Sequence, residues 1–368
     1  MSETSPTAAD FKAMGLYDPN APHADEELEL LQYLVELGAS LDDLAAYRDE
    51  LAGLASVVTI RGGRALSLSE AAARSGVPEE KLLAIWRAAG FPQPGPHDRV
   101  FSERFGDLAA GLAAAETVFG QEAVLQLVRV MGSTMARLAD AIVSAFLVNV
   151  EPGVSEEDPA RLRVARANAE ASALLPAVGP GLEILLRQHL LPARRSSFGL
   201  AANSSYEARV MCVGFVDLVG STALAQQITT SELGSVLSEF ERIASDTVNA
   251  AGGRVVKLIG DEILYTSGDA QSACAIALQL ATVFERHPAV PAVRGGVAGG
   301  EVTMRDGDVF GPVVNLAARA VKLAGPSEVI VPTPMAQAAR IPSEPLGRQT
   351  LKGFDGEVEL SRLARRSS

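Results

Sequence analysis

The stretch Val210–Thr222 reads VMCVGFVDLVGST. Its apolar run, Val210–Val216, is rich in valine and broken only by a glycine, which predicts a strand buried on both faces. The run ends on a lone carboxylate, Asp217, and passes into Gly220-Ser221-Thr222. That composition opens helices and leaves backbone N–H groups free to hold an anion. A carboxylate at the end of a buried strand, beside a helix start, suits a divalent cation and a phosphate together. The same aspartate would serve equally well as a plain helix cap, and the stretch by itself leaves both readings open.

The residues that follow alternate strand and helix signals. Ser231–Ala251 has helical spacing and is closed by Gly252-Gly253. Arg254–Ile259 (RVVKLI) and Glu262–Thr266 (EILYT) are two short strands around Gly260-Asp261, a tight hairpin with an aspartate at its tip. Ala270–Arg286 predicts a helix, Val293–Val302 a Gly-rich strand, Gly311–Leu323 a helix and Glu328–Val331 a strand. Leu351–Glu359 supplies a last hairpin carrying Lys352-Gly353. The order β-α-β-β-α-β, followed by further elements, is the ferredoxin-like α+β pattern.

The residues that precede it read as all-helical. Helical spacing covers Glu26–Gly38, Asp42–Leu54, Phe101–Val118, Gln121–Val150, Glu156–Leu175 and Leu182–Leu191. Val57–Ile60 reads as a short strand before an Arg61–Arg64 turn, Glu151-Pro152-Gly153 as a break, and Pro176–Pro180 as a kink. Gln121–Val150 is apolar around much of its circumference and is expected to be buried or to form a dimer contact. Leu66–Phe91 (LSLSEAAARSGVPEEKLLAIWRAAGF) reads as a helix-turn-helix, with a Ser67/Glu70 capping box and a break at Gly76. Its second helix offsets Lys81 and Arg87 with Glu79 and Glu80, a balance that favours packing over DNA reading. The Arg-containing junction Pro192–Ser197 separates two expected domains, 1–197 and 198–368.

Composition narrows the function classes. A net charge of −13 over 368 residues argues against a nucleic-acid partner. An acidic protein that binds a polyanion needs a focused cationic pocket or a metal. The two cysteines, Cys212 and Cys274, sit in apolar surroundings and read as buried free thiols. No stretch of about 18 uncharged apolar residues occurs, and no targeting segment is visible, so the expectation is a cytoplasmic protein without a membrane span.

Three pieces converge on chemistry. Asp217 and Asp261 can meet at one end of the sheet, and two carboxylates with substrate phosphates are a usual ligand set for Mg²⁺ or Mn²⁺. The segment Asp308–Arg319 (DVFGPVVNLAAR) places Asn315 and Arg319 four residues apart on one helix face. Its small neighbours Ala317, Ala318 and Ala320 allow close approach of a sugar phosphate.

From Val210 to Leu363 the chain resembles the class III nucleotidyl cyclase catalytic domain, through FVDLVGST, VVKLIGDEIL, DVFGPVVNLAAR and LKGF in that order. The resemblance implies a homodimer with two active sites at the subunit interface. It implies that Asp217 and Asp261 of one subunit hold two metal ions, Mg²⁺ or Mn²⁺. Lys257 and Asp308 of the other would read adenine, Asn315 would orient the ribose, Arg319 would stabilise the transition state, and Lys352 would contact the triphosphate. The interval Glu301–Gly307 is shorter than in many relatives, which leaves the role of Arg305 open. The helical half resembles, more loosely, the regulatory domain of mycobacterial pH-responsive adenylyl cyclases. That implies autoinhibition relieved by acid and a fatty acid or other lipid in the helical core. His189, near Arg187, Arg194 and Arg195, is the candidate titrating group.

The expected activity is conversion of ATP to cyclic AMP and pyrophosphate by attack of the ribose 3′-hydroxyl on the α-phosphorus. Asp308 can accept from the adenine amine and Lys257 can donate to a ring nitrogen, whereas guanine would set a carbonyl against Asp308. The alternatives are a catalytically silent nucleotide-binding regulator on the same fold and a guanylyl cyclase.

Overall fold

The computed structural model describes residues 6–61, 65–149, 158, 160–197 and 207–364. The chain divides into two compact units, Met1–Phe198 and Gly199–Ser368.

The first unit is helical. Leu51–Arg61 is one helix, so the strand expected at Val57–Ile60 is absent. Ala52, Leu54, Ala55 and Val58 are buried there against Leu162, Val164, Ala165 and Ala169, and this packing outweighs the β-preference of a Val-Val-Thr-Ile run. The helix expected over Asp42–Leu54 is therefore two, Leu41–Ala46 and Leu51–Arg61. The kink expected at Pro176–Pro180 lies within the helix Leu175–Ser197, which continues through Pro180 and Pro192. The turn expected over residues 62–64 and the break over 151–153 lie outside the described residues.

The helix-turn-helix is present as Leu68–Ser75 and Glu79–Ala88. Ser67 and Glu70 form the capping box, and Gly76 takes the left-handed conformation at φ 69°. Its cations Lys81 and Arg74 are engaged in ion pairs with Glu116 at 2.6 Å and Glu103 at 3.3 Å, and its Glu70 pairs with Arg99 at 2.8 Å. This is a packing motif rather than a basic reading head.

Burial was one expectation for the long helix Gln121–Asn149, and it fails within a single chain. Val124 and Val128 are buried, but Leu127, Met131, Met135 and Ile142 are exposed. Two segments, Gln121–Val148 and Leu162–Pro192, are long and apolar enough to cross a membrane by length and composition. The first carries Arg129, Arg137 and Asp140 along its length.

The second unit is one eight-stranded sheet. Its strands are β1 (Glu207–Leu218), β2 (Arg254–Ile259), β3 (Glu262–Ser267), β4 (Val293–Arg305), β5 (Asp308–Phe310), β6 (Val329–Pro332), β7 (Ser343–Thr350) and β8 (Glu357–Leu363). They lie in the order β2-β3-β1-β4-β6-β8-β7, with β5 paired to β4. The antiparallel set β2-β3-β1-β4, with helices Thr230–Ala250 and Ala270–Glu285 as crossovers, is the ferredoxin-like core. The last hairpin is β7 paired with β8, and its loop carries Lys352-Gly353 as expected, but its strands lie at Ser343–Thr350 and Glu357–Leu363 rather than within Leu351–Glu359. The interval after Gly300 is a hairpin, with β4 running on to Arg305 and turning through Asp306-Gly307, both at positive φ, into β5.

Side chains on β1 alternate between two cores. Cys212, Val216 and Leu218 face the helices Thr230–Ala250 and Ala270–Glu285, in a core with Phe240, Ile276 and Phe284. Val213 and Phe215 face the helix Pro312–Leu323, in a core with Leu264, Ala298, Ala317 and Val321. Cys212 and Cys274 are free and buried, and burial pushes their thiols up to about 11 and about 12. Neither carries the thiolate that reactive chemistry requires.

Candidate active site

The strand alternation that puts Val213 and Phe215 under the helix Pro312–Leu323 puts Asp217 on that same face. Across the ladders Asp217 stands opposite Glu262 on β3 and Arg294 on β4. Arg294 donates from Nε and Nη2 to Asp217 Oδ2 at 2.9 and 2.6 Å. The bond is charge-assisted and fixes the carboxylate's orientation. Asp261 follows Gly260, whose φ of 64° makes the turn. The Asp261 carbonyl accepts from the Leu218 N–H at 3.1 Å, and its Oδ2 accepts from the Ser221 hydroxyl. The two carboxylates expected to meet at the strand end are thus tied to one corner of the sheet.

The other expected residues fall into two further groups. Lys257 Nζ donates to Asp308 Oδ2 at 2.5 Å, and Asp308 Oδ1 accepts from the Val309 N–H at 2.8 Å. Asn315 and Arg319 lie one turn apart on Pro312–Leu323, and Arg319 Nε donates to the Lys352 carbonyl at 3.3 Å. Among the described residues no hydrogen bond or ion pair joins one of these three groups to another. His189 is exposed on Leu175–Ser197, and its neighbour Arg187 pairs with Glu183 at 2.7 Å. The side chains of Arg194 and Arg195 lie outside the described residues.

The donor set at the strand end fits a hard divalent cation. Among the described residues nothing hydrogen-bonds Oδ1 of Asp217 or Oδ1 of Asp261, so each aspartate keeps an oxygen free. The described residues hold no cluster of three or more His, Cys, Asp or Glu able to hold a metal. Further ligands would come from substrate or water, as Mg²⁺ and Mn²⁺ accept and Zn²⁺ sites seldom do.

Two residues at this corner escaped the sequence reading. Arg294 is one, and the signal was a single cation at the head of the Gly-rich strand VRGGVAGGEV. Glu262 is the other, hidden by its neighbour Asp261. Burial, helped by Asp217, pushes the Glu262 carboxyl up to about 7. A raised carboxyl stabilises the fold fully below its unfolded value near 4.5, and that contribution is lost as pH rises through 7. Glu262→Gln, which mimics the protonated form, is expected to melt above the parent at pH 8 and level with it near pH 4.5 in chelator. Solvent screening of this half-buried group holds the gain to about 1 kcal/mol, ~3 °C. Melting curves across that range decide it, and a pH-independent difference would refute the assignment.

Comparison with known proteins places both units. Residues 10–193 match the adenylate cyclase regulatory domain, and residues 204–360 match the adenylate and guanylate cyclase catalytic domain. The chain belongs to the adenylate cyclase family. It is 34% identical to an uncharacterized protein of Mycobacterium tuberculosis, over 95% of this chain and 92% of that one. It is 35% identical to an adenylate cyclase of Streptomyces coelicolor, over 73% of this chain and 70% of the relative. It is 28% identical to a pH-sensitive adenylate cyclase of Mycobacterium tuberculosis, over 92% and 88%.

Proposed function

We propose that the chain converts ATP to 3′,5′-cyclic AMP and pyrophosphate, in the cytoplasm, at sites shared between two copies. Residues 198–368 do the chemistry and residues 1–197 regulate it. The observation that carries the substrate assignment is the Lys257–Asp308 pair at 2.5 Å. It presents a cationic donor and an anionic acceptor side by side, which matches the ring nitrogen and exocyclic amine of adenine. The Val309 N–H holds the Asp308 carboxylate in place. Guanine would set its carbonyl oxygen against that carboxylate, a desolvated acceptor–acceptor contact.

Asp217 and Asp261 would hold the divalent ions, Mg²⁺ or Mn²⁺, through their free oxygens. Bound there, such ions would lower the pKa of the 3′-hydroxyl and offset charge on the transferring phosphoryl group. Asn315 would hydrogen-bond the ribose and align the 3′-oxygen. Arg319 places a fixed guanidinium where charge gathers on the phosphoryl oxygens, and Lys352, beside it, would offset charge on the departing pyrophosphate.

A second copy is supported by the surface around the base-reading pair. Leu258 and Ile259 follow Lys257, Phe310 follows Asp308 by two residues, and all three are exposed apolar side chains. Val210, farther along β1, is a further exposed apolar side chain at 81%.

For regulation, the likeness to a pH-sensitive relative supports control by pH through the helical unit. The lipid expected there finds no support: a cavity of about 290 Å³ among the described residues of that unit is lined by Glu27, Arg48, Asp49 and Glu50 as well as leucines. The experiment is cyclic-nucleotide formation by the full-length protein with ATP or GTP and Mn²⁺ or Mg²⁺, from pH 5 to 8. Cyclic AMP formed in preference to cyclic GMP is expected. Absence of both cyclic nucleotides throughout would overturn the proposal in favour of a silent nucleotide-binding regulator, and cyclic GMP without cyclic AMP in favour of a guanylyl cyclase.

A further inference from the structure

The helix Pro312–Leu323 carries Asn315 and Arg319, and something must fix its height above the sheet. The usual spacer between a helix and a sheet is a layer of side chains. Here that layer is missing at one point. Gly296 on β4 stands opposite Phe215 in the ladder, on the face that the helix covers. A Cβ placed on Gly296 would lie 2.3 Å from the Val321 nitrogen, 2.5 Å from the Ala317 carbonyl oxygen and 2.9 Å from the Val321 Cα. All three are backbone atoms of the helix, so no rotamer change relieves the contact. The inner face of the helix is correspondingly small, with Ala317, Ala320 and Val321 buried.

The contact sits at a sensitive place. Ala317 and Val321 bracket Arg319, and Asn315 is half a turn from Ala317. On β4, Gly296 is two residues from Arg294, which holds Asp217. A methyl group at Gly296 would need the helix to rise by about 1 Å to restore ordinary contact distances. A shift of that size in a group acting on the transition state costs on the order of 10²-fold in rate.

We infer that Gly296 is a positioning residue for the reaction: its missing side chain sets the height at which Asn315 and Arg319 are presented to the substrate. The inference rests on the cyclase reading above. It does not make Gly296 a catalytic residue, because Gly296 touches only the helix backbone.

The adjacent glycine provides the control. Gly295 points to the opposite face, where a Cβ would meet Val329 Cγ2 at 3.2 Å and Ala277 Cβ at 3.4 Å. Gly295→Ala therefore crowds the core without lifting the catalytic helix. Both variants are expected to melt below the parent. Gly296→Ala is expected to lose on the order of 10²-fold in kcat with KM for ATP within about threefold, since the displaced groups act on the transition state. Gly295→Ala is expected to keep kcat within about threefold at a temperature where it is folded.

The deciding measurement is complementation in mixed dimers of the full-length protein. Gly296→Ala damages the half-site that Asn315 and Arg319 supply and leaves Asp217 and Asp261 intact. Mixed with Asp217→Ala it should regain activity, and mixed with Arg319→Ala it should not. Equal recovery with both partners, equal failure with both, or kcat losses matching those of Gly295→Ala would overturn the inference. Should Gly296→Ala fail to fold, Ala317→Val pushes on the same helix from its own inner face, and the same complementation pattern decides. An inactive parent, or no recovery when Asp217→Ala is mixed with Arg319→Ala, would instead refute the shared-site reading beneath it.

Discussion

Replacing Asp217 by Ala is expected to lower cyclic AMP formation by about 10³-fold or more and to remove the stabilisation that Mn²⁺ gives the parent protein. The reason is local. Asp217 supplies one of two free carboxylate oxygens at the strand end, and the described residues hold no cluster of three or more His, Cys, Asp or Glu that could replace it as a metal site. The substitution also strips Arg294 of its acceptor, a charge-assisted bond worth roughly 1–3 kcal/mol when broken on one side. Asp217→Asn separates the two effects, since the amide oxygen still accepts from Arg294 while the metal-binding charge is gone. Both variants should be inactive, and Asn should melt closer to the parent. Activity above about a tenth of the parent's in the Asn variant would exclude Asp217 as a metal ligand.

Mixing extends that result to the proposed dimer. When Asp217→Ala and Arg319→Ala chains assort at random in equal amounts, about half the dimers are mixed, and each mixed dimer holds one intact site of two. Activity should therefore return to about a quarter of the parent's. No return would mean that each chain builds its own site, and the exposed apolar residues beside Lys257 and Asp308 would then need a different partner.

The elements that the sequence made legible are those in which local pattern and tertiary demand agree. Cys212–Val216 is apolar because that part of β1 is paired to β3 and β4 with a core on each face, whereas Val210, at the start of the run and beyond the β3 pairing, is exposed. The Gly260-Asp261 tip was readable because a tight hairpin needs a residue at positive φ. Val57–Ile60 misled because it ends a helix whose Ala52, Leu54, Ala55 and Val58 are buried against Leu162, Val164, Ala165 and Ala169, and that packing overrides the propensity of the run. The Asp306-Gly307 hairpin carried an Asp-Gly turn signature of its own, with both residues at positive φ, but the flanking strand β5 is only three residues long. At the site, Asp217, Asp261, Lys257, Asp308, Asn315, Arg319 and Lys352 were named because their types suit nucleotide chemistry and they lie in recognisable motifs. Arg294 and Glu262 were not, because their importance comes from ladder register. A register pairing 217 with both 262 and 294 is invisible until three strands are aligned.

Gly214 shows the same limit in the core, and its substitution carries the largest expected loss of stability. Gly214 stands opposite Tyr265 in the β1–β3 ladder. A Cβ there would lie 2.1 Å from Cζ, 2.4 Å from Cε1 and 2.4 Å from Oη of that tyrosine. The ring lies over the bare Cα, an arrangement in which an aromatic side chain shields a strand glycine. Tyr265 cannot yield, because it is fully buried and its hydroxyl donates to the Ala273 carbonyl at 2.7 Å. Rotating it away would empty a core position and break the hydroxyl's hydrogen bond to Ala273. Gly214→Ala is therefore expected to destabilise the catalytic unit by about 3–5 kcal/mol, combining overpacking with the lost hydrogen bond, a fall in Tm of roughly 10 °C. Tyr265→Leu removes the obstructing atoms at its own cost. In that background the added methyl should cost under ~1 kcal/mol, giving a coupling of several kcal/mol in a double-mutant cycle of thermal melts. Equal cost of Gly214→Ala in both backgrounds would mean that the strand, and not the ring, absorbs the methyl group. β1 would then shift along its whole length, and Asp217, three residues on, would lose its register with Arg294 and Glu262.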